Sequence, residues 1–250
     1  MLDRPNHDGY RGGMPRCLVI QHDPDGPIGL AGERLAHHGF EFDTIEVMRE
    51  TWNGTSDAVF PDPTAYDFVL SLGSVQAVYD REAIGSWIDD ELAMLRRAHD
   101  HGVPVLGLCF GGQALAAALG GTVSKSPVHE IGWITLDTDV PDLIPSGPWF
   151  AWHIDRFTVP PGATELARTE LCSHAFRLGR SVGFQFHPEV DETIVKQWLA
   201  FCDDSYFESK GITRDDVVAN TNHDGARDAF FRIVDWMVTE VAAAPIEAAS

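Results

Sequence analysis

Basic residues are the first scarcity of this chain. Across 250 residues, 18 lysines and arginines stand against 38 aspartates and glutamates, a formal net charge of −20. So acidic a chain repels nucleic acid and anionic membranes, and neither is expected as a partner. The acids are scattered rather than gathered in a tail, which reads as a solvated surface. Cysteine is scarce too. Cys17, Cys109, Cys172 and Cys202 lie far apart and form no Cys-x-x-Cys pair, so zinc-ribbon and dithiol-redox readings lack their signature. Dispersed thiols fit a reducing, cytoplasmic compartment. No apolar run is long enough to cross a bilayer. The opening MLDRPNHDGYRGGM has no signal-peptide core. A phosphate-binding G-x-x-x-x-G-K-S/T loop is missing as well, which leaves nucleotide hydrolysis unsupported.

What is present is alternation. Residues 16–22, 66–72 and 103–108 read as buried strands and 41–47 as an extended segment. Between them, 29–38 and 81–101 read as helices, the second long and amphipathic. Strand–helix alternation predicts a doubly wound, mostly parallel α/β sheet. From 123 to 186 the texture changes to short β-like pieces broken by Pro and Gly, such as 131–136, 156–159 and 165–169. These predict a small antiparallel extension that returns to a strand at 181–186. Residues 192–202 should be helical, and 212–241 should hold one or two helices. The expected organisation is one domain over 15–241 with loose tails at 1–14 and 242–250. No internal repeat or low-complexity linker interrupts it.

The segment VPVLGLCFGGQ, residues 103–113, carries the chemistry. An apolar strand ends at Cys109, glycines follow at once, and a helical Ala/Leu run begins. This is the strand–tight turn–helix layout of a nucleophile elbow, with Cys where serine hydrolases carry Ser. Such a turn lifts a thiol above the end of a buried strand, at a helix N-terminus whose dipole and free N–H groups stabilise thiolate. A second motif, GFQFHPE at 183–189, ends another strand. Residues two apart on an extended chain point the same way, so His187 and Glu189 share a face while Pro188 stiffens the link. His187 can then act as a base toward Cys109, held in orientation by Glu189.

With these motifs in hand, the chain resembles the class I, triad-type glutamine amidotransferases, and among them stand-alone members similar to the glutaminase domain of GMP synthase. The matching pieces are CLVIQH (17–22), LGLCFGGQ (106–113), EIGW (130–133), WHID (152–155) and AFRLGRSVGFQFHPEV (175–190). The resemblance implies a flavodoxin-like sheet, with Cys109 as nucleophile, His187 as base and Glu189 as orienting acid. It implies oxyanion donors from the backbone N–H groups of Phe110 and Gly73. Gln113 would lie beside the bound γ-glutamyl group. Trp152, His153, Ile154 and Asp155 would help hold the α-amino and α-carboxylate end. Two positions depart from the family. Leu72-Gly73-Ser74 stands where Gly-Gly-Pro is usual, and Ile154 stands where the Trp-His-Gly-Asp pattern has glycine.

The expected reaction is hydrolysis of the γ-amide of glutamine through a γ-glutamyl thioester, giving glutamate and ammonia for a separate synthetase subunit. The alternative keeps the Cys-His-Glu triad but hydrolyses another γ-glutamyl amide without a partner. A third reading is a non-catalytic binding module. No cofactor and no metal are expected. His153, Asp155 and His187 make a weak ligand set, since no spacing fixes a third donor. Asp23 and Asp25 read as turn residues, because Ile28 and Arg34 stand where a calcium loop needs Gly and Glu. Trp149, Phe150 and Trp152 read first as core aromatics.

Overall fold

The structure is a computed structural model that describes residues 13–218 and 223–244. Of the loose tails expected at 1–14 and 242–250, residues 1–12 and 245–250 lie outside the described residues. The first half runs β1 (Arg16–Gln21), α1 (Gly29–His37), β2 (Glu41–Glu46), β3 (Phe68–Ser71), α2 (Arg81–Ile84), α3 (Ile88–Asp100), β4 (Val105–Leu108) and α4 (Phe110–Ala118). Then come β5 (Val123–Ile134), β6 (Asp137–Thr138), β7 (Trp149–Phe157), β8 (Thr164–Arg168), β9 (Ser173–Leu178) and β10 (Ser181–Phe184). Helices α5 (Glu192–Ala200), α6 (Asp204–Glu208), α7 (Arg214–Val218) and α8 (His223–Trp236) close the described chain, the last continuing as a π-turn over Met237–Val241.

Strands that are apolar on both faces must be covered on both, and this decides the architecture. In β1, Cys17 and Val19 enter one apolar cluster with α1 and α8, while Leu18 and Ile20 enter another with α3 and α4. Strands β3, β4 and β10 are buried along their whole length. They form the centre of an 8-stranded sheet in the order β2-β1-β3-β4-β10-β9-β8-β6. From β2 to β10 neighbouring strands are parallel, and from β10 to β6 they are antiparallel. The mostly parallel, doubly wound sheet is as expected. Because β3, β4 and β10 run the same way, the segments that follow them (Gly73, Cys109 and His187) emerge at one edge, where such sheets bind ligands.

Two elements differ from the sequence reading. The helix expected over 81–101 is two, α2 and α3, separated by residues 85–87. Trp87 breaks it: its backbone leaves the helical region with φ −143°, and its indole Nε1 donates to the Gly54 carbonyl at 2.7 Å. The short β-pieces expected at 131–136 and 156–159 are the ends of long arms, β5 and β7, which pair with each other in a separate antiparallel sheet. The sequence reading found these ends and missed the exposed middle of β5. In β5, Lys125, Pro127 and Val128 are exposed.

Candidate active site

Cys109 caps the N-terminus of α4 with φ 51° and ψ −107°, and it is the one non-glycine residue at positive φ among the described residues. The flanks hold that turn. The Cys109 N–H donates to the Phe184 carbonyl at 2.8 Å, and the Gly111 N–H donates to the Leu72 carbonyl at 2.9 Å. Helix α4 lies so close to the sheet that a Cβ on Gly111 would fall 2.1 Å from the Ser71 carbonyl oxygen. The glycine after the elbow is therefore a packing requirement.

His187 faces this thiol from the end of β10. Its Nδ1 pairs with Glu189 Oε1 at 2.8 Å, and both residues are buried. The His187 N–H donates to the Phe150 carbonyl at 2.7 Å, and the imidazole meets the Trp198 ring edge-on at 4.9 Å. Glu189 is tied in turn to α1, whose Leu30 N–H donates to the Glu189 carbonyl at 2.8 Å. Burial by itself would lower the His187 imidazolium. The charges of Cys109 and Glu189, with their hydrogen bonds, outweigh it and raise the group to about 10.

Gly73 closes the third side. A Cβ there would lie 2.9 Å from His187 Cε1 and 3.8 Å from Cys109 Cβ. The loop carrying it is pinned by Asp23, whose Oδ2 accepts from the Val75 N–H at 2.9 Å. Burial pushes the Asp23 carboxyl up to about 6. Behind Phe110 lies a fully buried pair, His22 Nε2 and the Glu91 carboxylate at 3.0 Å, with the Ser71 hydroxyl donating to the same carboxylate. Burial would lower the His22 imidazolium, and Glu91 raises it.

The structure thus gathers Cys109, Phe110, His187, Glu189 and Gly73 around one point. The residues expected to face substrate are distributed less evenly. Gln113 lines the cavity above the thiol, but its amide nitrogen donates to the Asp155 carbonyl at 3.3 Å and to Gln185 Oε1 at 3.2 Å. The Trp152 carbonyl lies 3.9 Å from Cys109 Sγ, while its indole donates to the Tyr206 hydroxyl. Ile154 stands on the rim, 41% exposed. Asp155 accepts at Oδ1 from the Tyr79 hydroxyl at 2.8 Å, and burial raises its carboxyl. His153 touches the cavity, but its ring nitrogens are used elsewhere. Nδ1 meets the Asp155 carbonyl, and Nε2 lies 3.2 Å from Glu130 Oε2.

The cavity has a volume of about 330 Å³, within the range of roughly 300–1,000 Å³ usual for small-molecule sites. Several of its residues escaped the sequence reading. Gln185 lies outside the cavity lining but beside the thiol, its amide 3.9 Å from Cys109 Sγ; it sits two before His187 on the extended chain, so the alternation could have named it. Tyr79, Lys125, Trp198 and Tyr206 come from four separate elements or loops and carry no local signal. The metal set weighed in the sequence, His153 with Asp155 and His187, is not the one brought together. His153 instead meets Glu130, Cys172 and His174.

A family model for glutamine amidotransferase class-I matches residues 33–202, well over half of the chain. The chain belongs to the class-I glutamine amidotransferase family. By that membership it is an enzyme of the glutamine-amidohydrolase kind. It is 40% identical over 110 residues to a glutamine-hydrolysing GMP synthase of Nitrosomonas eutropha, a match covering 37% of this chain and 21% of that protein. A match to the GMP synthase of a Janthinobacterium species is 32% identical over 161 residues, 57% of this chain and 30% of the relative. The chain therefore spans less than a third of these curated relatives. A glutamine amidotransferase structure from Methylobacillus flagellatus shares the fold with a TM-score of 0.80 at 24% identity, over 92% of this chain and 96% of that one. Among the described residues no helix is long and apolar enough to cross a membrane.

Proposed function

We propose that this amidotransferase hydrolyses the γ-amide of glutamine with Cys109 as nucleophile and passes the ammonia to a separate synthetase. One observation carries the reading: Cys109 stands on a strained elbow facing a buried His187–Glu189 pair, with Gly73 packed against both Cys109 and His187. The Cys109 thiolate attacks the γ-carbonyl carbon. The oxyanion takes hydrogen bonds from the backbone N–H groups of Phe110 and Gly73. The C–N bond then breaks, and the proton that ammonia needs comes from the His187 imidazolium. Neutral His187 next removes a proton from water, which attacks the γ-glutamyl thioester and releases glutamate. Glu189 holds the imidazole through Nδ1 during both steps.

Asp155, fixed by Tyr79, is the partner for the substrate α-ammonium. Lys125, paired opposite Asp155 in the β5–β7 register and the one Lys or Arg of the cavity lining, is the partner for the α-carboxylate. The curated relatives are glutamine-hydrolysing GMP synthases, and the part of them that this chain matches supports glutamine as substrate.

A second reading rests on the same cavity. Beyond Cys109 it is lined by Trp52, Trp198, Phe201 and Tyr206, with Asp23 and Asp25. Aromatic and acidic surroundings suit an amine leaving group larger than ammonia, cationic or aromatic. This makes the chain a γ-glutamyl amide hydrolase that works alone. The deciding experiment measures glutamate release from glutamine and from a panel of γ-glutamyl amines, for wild type and Cys109→Ala. Cys109-dependent turnover of glutamine alone supports the first reading. Turnover of a γ-glutamyl amine with glutamine nearly inert supports the second. Release that persists in Cys109→Ala sinks both.

A further inference from the structure

We propose that Glu130, His153, Cys172 and His174 form a binding site for a divalent metal ion of the zinc class, set behind the substrate-facing wall. The four come from three separate stretches of chain. Glu130 and His153 are directly opposed across β5 and β7. Cys172 and His174, two apart on the extended chain entering β9, turn the same way. Their ligand atoms all lie within 4.8 Å of one another. Glu130 Oε2 is 2.9 Å from His174 Nε2, 3.2 Å from His153 Nε2 and 3.5 Å from Cys172 Sγ, and Cys172 Sγ is 3.5 Å from His174 Nε2. A tetrahedral zinc ion with bonds of about 2.0–2.3 Å separates its ligands by roughly 3.3–3.6 Å. Four of the six separations, 2.9–3.5 Å, lie near that range, and those from His153 to Cys172 and His174 stay within 4.8 Å.

The tautomer of His153 is the second observation. Its Nδ1 lies 2.9 Å from the Asp155 backbone carbonyl, which can only accept, so Nδ1 carries the proton. In the neutral ring Nε2 then offers a lone pair. That atom is buried, makes no well-aligned hydrogen bond, and faces the Glu130 carboxylate oxygen at 3.2 Å, which is also an electron-pair donor. A cation between the two reconciles them. A backbone carbonyl fixing the far nitrogen of a ligating imidazole is also the usual outer support of a metal site.

Charge and ligand type select the ion. One carboxylate, one thiolate and two neutral imidazoles balance a 2+ charge, with the Cys172 thiol proton released to solvent. Nitrogen and sulfur donors disfavour magnesium and calcium and favour zinc-like metals. The site adds no step to the amide chemistry and stands whether or not the proposed reaction is right. Its consequence is mechanical: an ion there ties the β5–β7 arm, which bears the Trp152 carbonyl and Asp155, to β9 of the main sheet.

The test uses the full chain stripped with a chelator. Zinc is titrated in competition with a chromophoric chelator, and cobalt(II) spectra are recorded for wild type, Cys109→Ala, Cys172→Ser and His174→Gln. Expected are one tightly held zinc per chain and a thiolate-to-cobalt charge-transfer band that survives Cys109→Ala and disappears in Cys172→Ser. Outer-sphere partners alone are worth about 10- to 100-fold in affinity, so His174→Gln, which removes a ligand, should weaken zinc by at least ~100-fold. If stripped wild type takes up no zinc in competition, the proposal is overturned without reference to any variant. It is equally overturned if the band persists in Cys172→Ser and is lost in Cys109→Ala, since the ion would then sit on the nucleophile.

Discussion

Gly73 and His187 are in a contact that leaves no room for a side chain: a Cβ on Gly73 would lie 2.9 Å from His187 Cε1. The loop after β3 departs from the family's usual Gly-Gly-Pro, yet the surviving glycine is the one whose missing Cβ the imidazole edge fills. In Gly73→Ala, either the ring or the loop must move. A misplacement approaching 1 Å costs about 100-fold in rate. We expect kcat/KM to fall by roughly 10- to 100-fold while thermal unfolding changes little, because the loop itself lies outside the sheet. Near-wild-type kinetics for Gly73→Ala would show that this approach is loose in solution.

The pairing of His187 with Cys109 and Glu189 sets the pH dependence. His187 is raised from 6.5 to about 10, so the imidazolium proposed to protonate the leaving group persists through neutral pH and is lost as pH rises through the folded value. The alkaline limb of kcat/KM is expected near pH 10. Glu189→Gln removes one of the raising charges, so the limb should move to lower pH and kcat should drop by about 100- to 10,000-fold, as when a triad carboxylate loses its charge. An alkaline limb unmoved in Glu189→Gln would assign it to another group.

Much of this arrangement is legible in the sequence, for a physical reason. The elbow and the QFHPE segment are local: each compresses a strand end, a turn and its chemistry into a few residues. The same holds for β3, β4 and β10, buried along their whole length, and for Cys17–Ile20 within β1, all built on largely apolar runs. What is hidden depends on chain-distant partners. Trp87, the N-cap of α3, sits off the helical backbone with its indole N–H donating to the chain-distant Gly54 carbonyl. Tyr79 matters because Asp155 lies opposite it. Cys172 looks structural in isolation, and only the β5–β7 pairing brings Glu130 and His153 to it.

The His22–Glu91 pair beneath Phe110 gives a stability prediction. Both side chains are fully buried, so His22→Gln leaves a buried carboxylate without its counter-charge, which should cost about 3–5 kcal/mol near pH 6. His22 is raised above its ordinary 6.5 in the fold. Its contribution is therefore complete below about 6.5 and is lost as pH rises through the folded value. Urea unfolding of wild type and His22→Gln should show a gap that is widest at acidic pH and narrows toward alkaline pH. A gap that does not change with pH would mean that His22 stays neutral in the fold.

Tyr79 is expected to act on substrate binding chiefly by fixing Asp155. Tyr79→Phe removes a hydrogen bond to a carboxylate, worth about 1.5–3 kcal/mol in place, while leaving the ring. Only the share that fixes the Asp155 rotamer is felt by substrate, so KM should rise about 3- to 10-fold with kcat close to wild type. A fall in kcat at constant KM would instead put Tyr79 on the reacting end.

The backbone of Cys109 separates strain from chemistry. At φ 51° and ψ −107° a side chain is in conflict with its own backbone, and such conformations cost of order 1–3 kcal/mol. Cys109→Ala keeps that conflict and Cys109→Gly relieves it, although glycine gives back about 0.4–1 kcal/mol by loosening the unfolded chain. Both variants should be inactive, since neither carries the proposed nucleophile. Cys109→Gly should nevertheless unfold at the higher denaturant concentration, by about 1 kcal/mol, with an unchanged slope. That ordering is the reverse of the usual one for alanine and glycine, and it follows from the turn that exposes the thiol. Were Cys109→Ala the more stable of the two, the elbow would be relaxed in solution, and the fold would store no strain at its nucleophile.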